Sequence, residues 1–76
     1  MNKPRRKTLN EIYGKIAELR DWLEEVKDEE EEYRDNMPEN LHNSERYEIA
    51  EEACSNLDDA LSSLDDALDC IENATQ

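Results

Sequence analysis

The chain has 76 residues, of which 41 % are charged and 36 % apolar, and its formal net charge is −13. That size allows one small domain whose own core is thin, and oligomerisation commonly supplies the missing stability at this length. One Gly, two Pro and no Phe speak for exposed helices over a sheet protein. Low hydropathy with high charge also marks disordered chains, but a regular apolar phase kept through both halves of the sequence argues for structure.

Residues 1–7 carry Lys3, Arg5, Arg6 and Lys7 and no acid. They are expected to form a flexible basic arm, with Pro4 blocking an earlier helix start. Four charges on such an arm are a weak basis for RNA or lipid contact. The domain proper is expected over 8–76, opening at Thr8, because Thr8-Leu9-Asn10-Glu11 has the capping-box pattern. Leu9, Ile12, Ile16, Leu19, Leu23 and Val26 then recur at alternating steps of three and four, the signature of an amphipathic helix over about 8–35. Gly14 falls on the outward side. Tyr13 and Trp22 widen the apolar stripe on its two flanks, and Glu30 continues the stripe as its one acid before Tyr33 and Met37.

The turn is read at 36–43, where Pro38 pushes Met37 out of the helical region. Asn43 or Ser44 then caps a second helix over about 44–74. A connection of about eight residues suits antiparallel neighbours, with Met37 and Leu41 closing that end.

The second helix is nearly a written-out heptad. With Ala53, Ala60 and Ala67 at g, position a holds Cys54, Leu61 and Leu68, and d holds Leu57, Leu64 and Ile71. Tyr47 and Ala50 extend the seam backward, and Ile49 falls at c. A seven-residue apolar period keeps one seam of a helix against a partner helix. The small g residues let another helix come close. The fold class expected is therefore all-α, an antiparallel, coiled-coil-like helical hairpin. Two helices cover only one stripe each, so the widened face around Tyr13 and Trp22 predicts a homodimer, with two hairpins pairing into a four-helix bundle.

Catalytic and metal chemistry find little to work with. His42 is the one histidine and sits in the turn, and no Glu-x-x-His or Cys-x-x-Cys occurs. No nucleophile–base pair and no Gly-rich phosphate cradle is present either. The expectation is a non-enzyme with no metal and no cofactor. Cys54 is read as a small core residue. Cys70, at c, is read as an exposed thiol with nothing cationic nearby to activate it. On one helix the two cysteines lie roughly 24 Å apart, too far to bridge. Two free thiols suit a reducing cytoplasm. No apolar run is long enough for a signal peptide or a membrane span.

Acids line the outer side of the second helix as Glu51-Glu52, Asp58-Asp59 and Asp65-Asp66. Such a surface repels nucleic acid and anionic membrane and attracts basic protein surfaces. A solvated face is the ordinary reading of a charge run. Recognition of a basic patch on a host protein, and mimicry of nucleic acid, are the functional ones. Steps of about 10.5 Å between successive acid pairs fit the phosphate spacing of a duplex poorly.

The run Asn36-Met37-Pro38-Glu39-Asn40-Leu41, then Asn43-Ser44-Glu45-Arg46-Tyr47-Glu48 and acid-rich Ala/Leu heptads, resembles a group of short acidic helical-hairpin proteins. That group occurs in Gram-positive bacteria, their phages and other mobile elements, and has no assigned reaction. The resemblance covers roughly residues 33 to 74; the first helix matches in pattern only. It implies a phage or mobile-element inhibitor that sequesters a host protein, antiviral-defence components included. Against that stand two other readings, a nucleic-acid mimic and a purely structural subunit that assembles with itself. The candidate binding residues are Tyr13, Trp22, Met37, Leu41 and the six paired acids.

Overall fold

The computed structural model describes residues 1–76 and contains two long α-helices joined by a short turn: α1 spans Lys3–Asp35 and α2 spans Glu45–Ala74. They pack against each other as an antiparallel hairpin, a rod of 59 × 15 × 13 Å. Its radius of gyration is 17.3 Å, against about 11 Å for a compact chain of this length. The all-α hairpin expected from the heptads is the fold.

The first helix starts earlier than the capping-box pattern indicates. Residues 3–7 are its opening turns and not a separate arm, and Thr8 lies inside it. Asn2 is the cap, with its Oδ1 accepting from the Arg5 N–H at 2.9 Å. Pro4 does not block the start, because the first backbone N–H groups of a helix have no intrahelical partner to lose. The Thr8 hydroxyl instead donates to the Pro4 carbonyl at 3.0 Å. At 1.5 Å per residue the helices run about 50 Å and 45 Å, so α1 overshoots the end of α2.

Between the helices, Pro38 leads into a single 3-10 turn at Glu39–Leu41. The Leu41 N–H donates to the Pro38 carbonyl at 2.8 Å and the Ser44 N–H to the Leu41 carbonyl at 2.9 Å. Ser44 then caps α2, its Oγ accepting from the Tyr47 N–H at 3.2 Å. No residue of the connection has positive φ, which is why a chain with a single glycine, placed elsewhere, can make this turn. His42 stacks on Tyr47 with ring centroids 4.4 Å apart and donates through Nε2 to the Met37 carbonyl at 3.1 Å. This pins the turn over Met37, which is buried, whereas Leu41 points outward and is exposed. Met37 therefore closes the end of the hairpin without Leu41.

The buried core is Met37, Ala50, Cys54, Leu61 and Leu68. Four of the five come from α2, at its a and d positions, and α1 buries none of its residues fully. The six apolar residues expected along the α1 seam divide into two sets. Leu9, Ile16 and Leu23 are half-buried against α2. Ile12, Leu19 and Val26 are exposed, at 40 %, 56 % and 43 %, so they do not line the hairpin seam. Half-buried in their place, on the other side of the Leu9–Ile16–Leu23 row, are Tyr13, Arg20, Lys27 and Arg34. Two of these cations, Arg20 and Lys27, pair with acids of α2.

Candidate protein-binding site

The cations of α1 recur every seven residues at e, and so do the acids of α2 at its own e position. In an antiparallel pair those two flanks meet. Arg20 grips Asp65 with both arms of its fork, Nε–Oδ1 at 2.8 Å and Nη2–Oδ2 at 3.3 Å, and also holds Glu24 of its own helix. One heptad on, Lys27 Nζ lies 3.1 Å from Asp58 and 3.3 Å from Glu31. Arg34 pairs with Asp35 at 3.0 Å and shares a hollow with Lys27, Glu31, Glu51, Cys54 and Asp58. The long apolar stems of Arg and Lys cover the seam while the charged heads reach its edge.

This rail tunes its members. The Asp65 hydrogen bond, then the field of Asp65 and the contact with Glu24, hold the Arg20 guanidinium well above its ordinary range. Hydrogen bonds to Asp58 and Glu31 raise Lys27, and Asp35 raises Arg34. Cys54 lies beneath the rail, and burial pushes its thiol upward, against the lowering field of Arg34. Cys70 is exposed. A maleimide is therefore expected to label Cys70 within minutes on the folded chain and Cys54 only at the rate of unfolding. Mass spectrometry of the time course checks it; equal labelling of both thiols would place Cys54 at the surface.

The six acids singled out from the sequence consequently do two different jobs. Asp58 and Asp65 are engaged in holding α1. Glu52, Asp59 and Asp66, at f, are exposed and take part in no ion pair, and neither does Glu51. The ladder is not one free surface.

The opposite flank of the seam is apolar at its middle and charged toward its ends, at Lys15, Glu29, Glu30 and Arg46. Leu19, Trp22, Leu23 and Val26 line a shallow, wholly apolar hollow, with Trp22 65 % exposed. Farther along, Tyr33 faces Arg46, Ile49 and Ala50 of α2 across a second hollow, and Ile49 is 60 % exposed. Leu57, Leu64 and Ile71 of α2 are half-buried on this side, beside Ala53, Ala60 and Ala67. The residues brought together are therefore Trp22 with Leu19 and Val26. Tyr13 belongs to the ionic side, and Met37 lies inside the turn. The cation ladder is what sequence reasoning missed. Its signal was present as the matching seven-residue spacing of Arg20, Lys27 and Arg34 and of the α2 acids.

No three His, Cys, Asp or Glu side chains gather into a metal-holding group. No helix is long and apolar enough to cross a membrane. No known protein family matches the chain, and no curated protein or solved structure is similar to it.

Proposed function

We propose that this chain is a non-catalytic protein-binding module that works by laying its apolar flank against another protein surface. The observation that carries the reading is the uncovered side of the seam around Leu19, Trp22 and Val26. The chain exposes 5880 Å², whereas a compact monomer of 8.9 kDa exposes about 4,800 Å². The excess, roughly 1,000 Å², follows from the rod shape, which leaves both flanks of the seam open. An exposed apolar patch rimmed by charge, such as Leu19, Trp22 and Val26 form here, marks an interaction surface.

The resemblance of the turn and second helix to acidic hairpin proteins of phages and mobile elements supports a role as an inhibitor that occupies a host protein in the bacterial cytoplasm. The unpaired carboxylates Glu52, Asp59 and Asp66 suit a basic rim on such a partner. The nucleic-acid-mimic reading is weaker, because Asp58 and Asp65 are already committed to Lys27 and Arg20.

The test is retention of protein, an untagged copy of the chain included, on the tagged chain from nuclease-treated bacterial lysate. Wild type and a Leu19→Lys/Val26→Lys variant are run beside an Asp59→Asn/Asp66→Asn variant. Loss with the lysines and persistence with the asparagines is the expected result. The opposite pattern would move the site to the acids, and retention of nothing by any of the three would end the binding reading.

A further inference from the structure

Every carboxylate of α2 falls at b, e or f, so its c, d and g positions carry none. α1 covers Ala50, Cys54, Leu61 and Leu68 fully and leaves the d and g rows of this helix half-buried. The carboxylate-free sector, with Ala53, Ala60, Ala67 and Ala74 in a row at g after Arg46, is far wider than a helix turned toward water needs. It also lies on the side of the seam where α1 displays Leu19, Trp22 and Val26. The hairpin is thus a slab with one face of paired charges and one whose centre is apolar.

The α1 row on that face is self-complementary. Its d positions are Ile12, Leu19, Val26 and Tyr33, and its g positions are Lys15, Trp22 and Glu29. Laid antiparallel on a copy of itself, Trp22 meets Trp22, and Lys15 and Glu29 each meet their opposite. Leu19 falls within one residue of Val26, and Ile12 within one of Tyr33. That reciprocity is what an isologous two-fold interface requires. A row meant for an unrelated helix has no reason to place opposite charges symmetrically about its one tryptophan.

The second helix agrees on where the axis passes. The Arg20–Asp65 and Lys27–Asp58 bridges fix the register within one hairpin, and in it Trp22 is level with Ser63. The midpoint of the alanine row from Ala53 to Ala74 lies between Ser63 and Leu64. A single two-fold axis at that level therefore serves both helices, with α1 on α1 of the copy and α2 on α2. Alanines at g let the α2 pair approach to the short end of helix spacing.

We infer that a second copy of this chain covers the apolar face, with α1 antiparallel to its counterpart and the two-fold axis at Trp22. The inference rests on the protein-binding reading and names its occupant. The dimer leaves Glu52, Asp59 and Asp66 of both copies on its outside.

Sedimentation equilibrium of the full chain tests it, with circular dichroism to confirm that each variant stays helical. Wild type is expected at twice 8.9 kDa in the micromolar range. Lys15→Glu alone and Glu29→Lys alone each set like charges against each other at two symmetry-related places, raising the dimer Kd by about tenfold. The double variant Lys15→Glu/Glu29→Lys should restore it to within about threefold of wild type. A mass of 8.9 kDa at every concentration would overturn the inference, and so would a dimer indifferent to the single reversals or not recovered by the double one. In any of these cases capture of a different protein by wild type, lost with Leu19→Lys/Val26→Lys, would leave the protein-binding reading standing.

Discussion

Leu61→Ala is expected to cost about 2–4 kcal/mol of folding stability and to leave the hairpin largely unfolded at room temperature. Leu61 is 5 % exposed, at the middle of α2 and at the a position around which α1 closes. In a domain with a deep core, neighbours share such a loss. Here the buried set is Met37, Ala50, Cys54, Leu61 and Leu68, and the rows above and below Leu61 cannot collapse inward without breaking the rail at Asp58 and Asp65. Isolated helices draw little stability from propensity alone, so removing the packing melts both together. Thermal melts followed by far-ultraviolet circular dichroism read the effect. Ser62→Ala, one position along and exposed, is the control and should shift the midpoint little. If the two variants melt together, the core does not lie along the a positions of α2.

The second helix was legible because its heptad is nearly uninterrupted, and because Ser44 and Pro38 bracket the turn with local chemistry that needs no partner. The first helix was legible in existence and not in phase. Leu9, Ile16 and Leu23 fix the centre of its inner face under either phase. What remains is a choice between an apolar flank, Ile12–Leu19–Val26, and a basic one, Tyr13–Arg20–Lys27–Arg34. Hydrophobicity favours the first. The structure takes the second, and the groups its cations meet, Asp58 and Asp65, belong to the other helix. A periodicity argument made within one helix has no access to them. The start of α1 went astray for a local reason: Pro4 is a breaker inside a helix and harmless in its first turn, and Asn2 caps as well as Thr8 would.

The choice of flank also decides what stays exposed. By turning its cations onto α2, α1 neutralises part of an acidic helix and leaves its apolar row Ile12–Leu19–Val26 exposed. An account in which Ile12, Leu19 and Val26 filled the hairpin seam would leave the cations outside and nothing apolar to dock. The ionic rail and the apolar face are therefore two results of one rotation.

Trp22→Ala is expected to weaken self-association by roughly a thousandfold while leaving the isolated hairpin as helical as before. Trp22 is 65 % exposed on one hairpin and contributes nothing to its buried core. At the two-fold axis it is used twice, and a buried interface tryptophan is worth about 2 kcal/mol or more when truncated. As the chain's one tryptophan, it also reports its own surroundings. Wild-type emission should shift to the red on dilution through the dimer Kd, as the indole passes from a dry contact to water. Each copy carries −13, so added salt, by screening repulsion between the copies, should move that transition to lower concentration. A site that held a basic partner through its acids would respond to salt in the opposite sense. Wild-type emission that ignores dilution, from a sample whose mass does fall by half, would remove Trp22 from the interface and the two-fold axis with it.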